Sequence, residues 1–140
     1  MNIIKIDSNN IELLKTFIGS KLSKYFRYFD KRDISCIKNH LITYIGLKND
    51  IPIAYGHIDY SCDENKHWLG ICILDNYQGF GYGKLLMNKL IEFLFNSKIN
   101  NVYLCVDKNN IIAYNLYLKY GFEVINNSLT YYEMKLNIIK

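Results

Sequence analysis

Apolar residues recur along the chain with two different spacings, and the switches between them outline the secondary structure. Alternating or short continuous apolar runs predict strands, whereas apolar residues three and four positions apart predict helices. Strands are predicted at about residues 2–6, 42–48, 53–61, 67–74, 102–106 and 130–136. Helices are predicted at about 10–19, 82–96 and 110–120, with a less regular, aromatic and basic helical segment at 20–40. Strands first and helices interleaved later indicate an α/β protein with a mixed sheet.

A glycine-rich loop, Gln-Gly-Phe-Gly-Tyr-Gly at residues 78–83, lies between a predicted strand and a predicted helix. The first amides of a helix lack partners and lie at the positive end of its dipole, so such a loop suits a phosphate. The dinucleotide fingerprint is excluded because Lys84, rather than glycine or alanine, stands three residues after Gly81. The Walker loop is excluded because Leu85 replaces its serine or threonine. A phosphate site of another kind and a purely structural turn remain.

A second motif, Asn-Ile-Ile-Ala-Tyr-Asn-Leu-Tyr-Leu-Lys-Tyr-Gly-Phe, occupies residues 110–122. Together the two motifs resemble the GNAT superfamily of N-acetyltransferases, whose acetyl-CoA signature runs Q/R-x-x-G-x-G/A and later N-x-x-A-x-x-L-Y-x-K-x-G-F. The resemblance covers roughly residues 50–137, with 101–106 as the intervening strand. It implies a GNAT fold, with a mixed, mostly antiparallel central sheet of about six to seven strands flanked by about four helices. A single domain is expected over residues 1–140.

The resemblance also implies how acetyl-CoA is held. The amides of the glycine loop would surround the pyrophosphate, the exposed edge of the strand before it would pair with the pantetheine arm, and Tyr117 would donate a proton to the departing thiolate. Lys84 would add a positive charge at the phosphates, and the alternative is an ordinary surface lysine. Asn110 would bond the pantetheine amide, cap the helix, or do both. The expected cofactor-binding residues are Ile71, Ile73, Gln78, Gly79, Phe80, Gly81, Tyr82, Gly83, Lys84, Asn110, Ala113, Tyr114 and Tyr117.

Candidates for receiving the proton of the acceptor amine lie on the strand at 53–60. By alternation His57 and Asp59 share one face of this strand, and we expect both to be catalytic. Trp68 is expected beside them in the acceptor site, and the alternative is a surface His–Asp pair. If residues 63–66 close a hairpin, the expected cross-strand pairs are His57 with Cys72, Asp59 with Gly70 and Ser61 with Trp68.

The segment at 25–32 is aromatic and contains both arginines of the chain, Arg27 and Arg32. The planar guanidinium suits phosphate or carboxylate. We therefore expect an anionic acceptor, a nucleotide-linked amino sugar, as in the small GNAT proteins of surface-polysaccharide pathways that this segment also resembles. The expected acceptor-binding residues are Arg27, Tyr28, Arg32, His57 and Trp68. Ordinary ion pairs of the two arginines with Asp30 and Asp33 are the alternative.

Composition narrows the class of protein further. No apolar run of about 18 residues and no signal peptide is visible, so we expect a cytoplasmic protein without membrane insertion. The cysteines (Cys36, Cys62, Cys72 and Cys105) lie far apart without a C-x-x-C pair, and three of them fall in or directly after predicted strands, which favours buried, reduced thiols and no metal site. The net charge of +4 is modest and scattered, which argues against nucleic acid as a partner.

Three functions are compatible with these features. The first is acetyl-CoA-dependent transfer of an acetyl group to a small-molecule amine, by direct attack of the amine on the thioester. The second is acetylation of a protein N-terminus or lysine, which would require an open peptide groove. The third is a non-catalytic acyl-CoA-binding module, which an intact Tyr117 disfavours. Monomer and homodimer both remain open.

Overall fold

The computed structural model describes residues 1–20 and 34–140, with a single seven-stranded sheet in this part of the chain. The strands are β1 Asn2–Lys5, β2 His40–Lys48, β3 Ile51–Ser61, β4 Lys66–Ile73, β5 Asn101–Asp107, β6 Glu123–Asn127 and β7 Tyr131–Asn137. The α-helices of these residues are α1 Ile11–Ile18, α2 Tyr82–Phe95 and α3 Ile111–Lys119, and short 3-10 helices lie at Ile34–Asn39 and Asp75–Tyr77.

The sheet is antiparallel except at its centre. Its strand order is β1-β2-β3-β4-β5-β7-β6, and β4 and β5 are the parallel neighbours, joined through the crossover helix α2. β4 pairs with β3 along its whole length, whereas the ladder between β4 and β5 consists of the single pair Trp68–Tyr103. The two strands therefore separate towards their carboxyl ends, and the sheet is split there.

The strand β3 is buried on both faces, which is why its sequence reads as nearly continuous apolar residues. On one face Tyr55 packs against Phe17 of α1, with ring centroids 5.8 Å apart. On the other face α2 lies so close that a Cβ at Gly56 would stand 3.1 Å from the side chains of Leu86 and Leu90. Burying a leucine or phenylalanine stabilises a fold by about 1.5–3 kcal/mol, so these contacts fix both helices on the sheet.

The predicted fold class is confirmed, with small differences in its elements. Three α-helices and two 3-10 helices in the described residues come close to the predicted four helices. The strand β6 was not located from the sequence, because it is a short edge strand whose five residues are all exposed. The predicted segment at 20–40 lies largely outside the described residues, and its end forms the 3-10 helix Ile34–Asn39.

The predicted register of the β3–β4 hairpin was wrong by two residues. The observed pairs are Tyr55 with Cys72, His57 with Gly70, Asp59 with Trp68 and Ser61 with Lys66. The turn comprises residues 62–65, one position earlier than expected, and Asn65 closes it with φ 52°. Asparagine tolerates this left-handed conformation, so Lys66 is free to begin β4. Because a shift of two preserves the alternation of faces, His57, Asp59 and Trp68 still share one face.

Candidate active site

A cavity of about 1340 Å³ extends from the glycine loop through the split between β4 and β5 to the β3–β4 hairpin. It brings together residues from both predicted parts of the site. Of the predicted cofactor-binding residues, its lining contains Ile71, Ile73, Gln78, Gly79, Gly81, Tyr82, Gly83, Lys84, Asn110, Ala113 and Tyr117. Of the predicted acceptor residues, its lining contains His57, Asp59 and Trp68.

Two of the predicted site residues that the structure describes, Phe80 and Tyr114, do not line this cavity. Phe80 is 65% exposed and stacks on Tyr82 outside the lining, and Tyr114 packs against Tyr132 with ring centroids 5.0 Å apart. Arg27, Tyr28 and Arg32 lie outside the described residues. Their predicted roles stay predictions.

The glycine loop has the backbone shape that an anion site requires. Gly79 and Gly81 have φ values of 86° and 82°, a left-handed region that favours glycine. Gly81 is the N-cap of α2 and has no side chain to cover the first amides of the helix. The Gln78 amide group donates to the Ile73 carbonyl (3.1 Å) and to the Asp75 carboxylate (3.2 Å), which ties the loop to the end of β4. The first amides of α2 therefore face the cavity mouth, where a phosphate fits.

Two groups of α3 reach the cavity from the other side of the split. Asn110 caps the helix, since its Oδ1 accepts a hydrogen bond from the Ala113 amide at 3.3 Å. Tyr117 is 6% exposed and its ring lies 5.8 Å from that of Phe122. Burial, with a smaller contribution from the Cys72 thiol, raises the pKa of the Tyr117 hydroxyl. The hydroxyl is therefore protonated at neutral pH and has a proton to donate.

His57 and Asp59 form a buried pair on the α1 face of the sheet. They are 2% and 8% exposed, so they do not form the surface pair considered as an alternative. His57 Nε2 lies 3.1 Å from Asp59 Oδ2. The imidazole lies over Gly70 of β4, where a Cβ would stand 2.3 Å from His57 Cε1. The imidazole of His57 can occupy this space only because residue 70 has no side chain.

His40 belongs to the same cluster, although the sequence did not point to it. Its ring stacks on that of His57, with centroids 4.3 Å apart and planes 17° from parallel. Its Nδ1 lies 2.8 Å from the Thr43 hydroxyl. The predicted strand began at residue 42, two positions too late to include His40, which pairs with Asp59 in the β2–β3 ladder. A predicted strand that began at His40 would have placed this residue opposite β3 and made it a candidate for the site.

The ligand atoms of His40, His57 and Asp59 lie within 4.8 Å of one another, a spacing that metal ions also use. The geometry of the rings does not favour this interpretation. Lone pairs of imidazole nitrogens lie in the ring planes, and two nearly parallel stacked planes do not direct them to one point.

Charge is distributed unevenly along the cavity. Its hairpin end is lined by the carboxylates of Asp59, Asp63, Glu64 and Glu133. Its loop end is lined by Lys84 and Lys119. Lys66 bonds Glu133 at 3.2 Å, and this hydrogen bond raises the pKa of the lysine. Among the residues described, the hairpin end thus favours a cation and the loop end an anion.

A sheet that splits between two parallel strands, beside a glycine-rich loop at a helix N-terminus, defines the GNAT class of α/β proteins. The model of the acetyltransferase (GNAT) family matches residues 9–122. The chain belongs to this family.

Individual relatives agree in class and differ in acceptor. The chain is 36% identical over 74 residues to a probable spermine N(1)-acetyltransferase of Bacillus subtilis subsp. natto, covering 49% of each chain. It is 40% identical over 62 residues to the ribosomal protein bS18-alanine N-acetyltransferase of Haemophilus influenzae, covering 44% of this chain and 42% of the relative. The chain thus spans about half the length, or less, of the curated relatives it matches.

Solved structures share the fold over the whole chain. A putative acetyltransferase from Salmonella typhimurium, solved with its cofactor acetyl-CoA, superimposes with a TM-score of 0.75 at 13% identity. The match covers 100% of this chain and 95% of the Salmonella protein. In the described part of the chain, no helix is long and apolar enough to cross a membrane.

Proposed function

We propose that residues 1–140 form a single N-acetyltransferase domain that uses acetyl-CoA as acetyl donor. The observation that carries the proposal is the continuous cavity from the glycine loop, past Tyr117, to the His57–Asp59 pair. Membership of the family and the acetyl-CoA bound by a protein of the same fold support the donor. The amides of the loop and Lys84 would hold the pyrophosphate, and the free edge of β4 at Ile71 and Ile73 would pair with pantetheine.

The reaction would be direct transfer without a covalent intermediate on the protein. The nitrogen of a neutral primary amine attacks the thioester carbonyl, the new C–N bond forms, and the C–S bond breaks. A backbone amide of β4 stabilises the oxyanion, a contribution of about 3 kcal/mol in other acyl transfers. The thiolate takes the Tyr117 proton. The His57–Asp59 pair accepts the ammonium proton before the attack and passes it to water, and it then accepts the second proton that the nitrogen loses as the amide forms. Exchange with water restores both groups.

A proton-accepting pair is needed because amines are protonated at neutral pH. Deprotonating an amine with a pKa of about 10.4 costs about 4.6 kcal/mol at pH 7. Asp59 is close enough to the cavity to contact the ammonium, and His57 lies directly behind its carboxylate. The pair can therefore bind the cationic form and take up its proton.

The acceptor that the described residues favour is a cationic amine, namely a polyamine. The exposed carboxylates of Asp63 and Glu64 at the hairpin end support this choice, since extra ammonium groups of the same molecule would find partners there, whereas Glu133 is already paired with Lys66. The similarity to a spermine acetyltransferase supports it independently. A protein N-terminus is a second candidate, favoured by the similarity to the ribosomal-protein enzyme. The nucleotide-linked amino sugar stays a prediction that depends on Arg27 and Arg32.

A panel of acceptors tests the proposal. The protein is incubated with acetyl-CoA and, separately, spermine, spermidine, an alanine-initiated basic peptide and a nucleotide-linked amino sugar. CoA release is followed with a thiol reagent, and products are identified by mass spectrometry. We expect turnover with the polyamines. Turnover with only the amino sugar would contradict the cationic acceptor, and CoA binding without turnover in any arm would favour the non-catalytic module.

Subunit number and location are separate proposals. A monomer or a homodimer, in the cytoplasm and without nucleic acid, is what the composition predicts. Sedimentation of the purified protein distinguishes the two assemblies.

A further inference from the structure

Lys48, the last residue of β2, points its ammonium group at three aromatic rings that surround the glycine loop. Its Nζ lies 5.9 Å from the ring centroid of Tyr77, 5.6 Å from that of Phe80 and 5.6 Å from that of Tyr82. Phe80 and Tyr82 also stack on each other, with centroids 5.9 Å apart. These three rings and the ammonium are called the Lys48 cage below.

The cage accounts for features that the donor site leaves unexplained. Phe80 lies between two left-handed glycines and is 65% exposed, an unusual place for a large apolar side chain. Lys48 is outside the lining of the cavity, although two of the rings that it contacts, Tyr77 and Tyr82, belong to that lining. A cation within about 6 Å of an aromatic centroid is attracted to the face of the ring. Lys48 therefore contacts one ring before the glycine loop (Tyr77), one between its glycines (Phe80) and one at the start of α2 (Tyr82).

A glycine loop needs such fixing because its backbone is free to leave the conformation that binds an anion. Glycine loses more conformational freedom on ordering than any other residue. Gln78 fixes the start of the loop through the Ile73 carbonyl, but Gly79, Phe80 and Gly81 follow that anchor. The Lys48 cage fixes this remaining part through the rings of Phe80 and Tyr82.

We propose that Lys48 is a positioning residue for the acetyl donor, which holds the glycine loop in its phosphate-binding shape through the cage. The inference rests on the proposed function, because it takes acetyl-CoA as the donor. Lys48 would affect the binding of the pyrophosphate without touching the thioester or the amine. Its effect should therefore appear only with donors that carry the pyrophosphate.

The test compares Lys48→Met, which keeps the length of the side chain and removes the charge, with Lys48→Arg, which keeps the cation. Each is assayed with acetyl-CoA and with S-acetylpantetheine, which lacks the pyrophosphate. We expect Lys48→Met to raise the KM for acetyl-CoA about three- to tenfold, with kcat and the acceptor KM unchanged. Lys48→Arg should stay within about twofold of the unmodified chain. Activity with S-acetylpantetheine should not respond to either change.

Phe80→Leu separates the cage from a direct contact of Lys48 with a phosphate. If the cage acts through the loop, Phe80→Leu raises the KM for acetyl-CoA, and the double variant with Lys48→Met shows a smaller rise than the sum of the single effects, expressed as free energies, because both changes remove the same contact. An unchanged KM in Phe80→Leu together with a raised KM in Lys48→Met would overturn the inference. Equal losses with both donors, or a lowered melting temperature that accounts for the loss, would also overturn it.

The outcome remains separable from that of the proposed function. If the unmodified chain binds CoA but transfers no acetyl group, the transferase proposal fails, and the Kd for CoA in the Lys48 variants then decides the inference. If the unmodified chain binds no CoA, both are wrong.

Discussion

Gly70 and His57 face each other across β4 and β3, and the imidazole occupies the space that a side chain at residue 70 would fill. A Cβ there would lie 2.3 Å from His57 Cε1 and 2.7 Å from Nδ1. We expect Gly70→Ala to push the ring away from Asp59 and to lower kcat about tenfold or more, the usual scale of a lost proton acceptor. Steady-state kinetics with saturating acetyl-CoA measures the change.

Gly19→Ala is the matched control for this substitution. Gly19 follows α1 in a right-handed conformation, and a Cβ there meets only backbone oxygens at 3.5 Å and beyond. Its kcat should equal that of the unmodified chain. A Gly70→Ala protein with full activity would show that the position of His57 does not matter to the reaction.

Tyr117 is a residue whose acidity the fold lowers. Burial raises the pKa of its hydroxyl, so the group keeps its proton through the alkaline range in which exposed phenols ionise. We expect Tyr117→Phe to lower kcat about tenfold to a hundredfold, with little change in the KM for acetyl-CoA. In the unmodified chain, the alkaline loss of the Tyr117 proton should begin only above about pH 10. A pH–rate profile that falls earlier in the unmodified chain but not in Tyr117→Phe would contradict this.

At the scale of elements, the split of the sheet depends on a small set of contacts at its closed end. The pair Trp68–Tyr103 joins β4 to β5, and the ion pair of Lys66 with Glu133 reaches from β4 across β5 to β7. Lys66 Nζ also lies 4.7 Å from the Tyr103 ring centroid. These contacts hold the two halves of the sheet together at the closed end of the split, where a single backbone pair joins β4 to β5.

Glu133→Gln should therefore destabilise the protein more than the loss of an ordinary surface ion pair. We expect the free energy of unfolding to fall by about 1 kcal/mol, against about 0.3 kcal/mol for Glu92→Gln, whose pair with Lys89 is exposed. The folded state raises the pKa of Lys66. The contribution of the Lys66–Glu133 pair to the free energy of unfolding is therefore fully present below the ordinary lysine pKa. It is lost as the pH rises through the raised pKa of the folded protein. Urea titrations at pH 7 and at high pH measure both effects, and equal losses in the two variants would contradict the role of the pair.

The sequence was most informative where chemistry is encoded by neighbours along the chain. The motifs at 78–83 and from Asn110 predicted most of the residues that line the loop end of the cavity, because turn geometry and helix capping are local properties. The register of the β3–β4 hairpin depended on where the turn ends, and the sequence did not show that Asn65 closes it in the left-handed conformation. His40 and Lys48 were missed because their roles arise from packing between distant strands and loops, which no spacing along the chain reveals.

On the scale of the whole molecule, the cavity is polarised along its length. Lys84 and Lys119 lie at the end proposed for the phosphates, and the carboxylates of β3, β7 and the hairpin turn lie at the end proposed for the amine. Local charge rather than the net charge of +4 governs what each end attracts. An overall positive chain can therefore present an acidic acceptor site.

The double change Asp63→Asn with Glu64→Gln tests this polarity, because both side chains are exposed in the hairpin turn and line the acidic end of the cavity. We expect the KM for spermine to rise about three- to tenfold at low ionic strength, since steering by exposed charges has this scale. The rise should shrink in about 0.5 M salt, where the Debye length falls well below 10 Å. The KM for acetyl-CoA should not rise, because its phosphates bind at the opposite end.

Asp7→Asn with Glu12→Gln is the control, because it makes the same change in net charge beside and within α1, away from the lining of the cavity. It should leave the KM for spermine and the KM for acetyl-CoA unaltered. An equal rise in the control pair would assign the effect to net charge alone, and an unchanged KM for spermine in the turn variant would show that the acidic end does not select the acceptor.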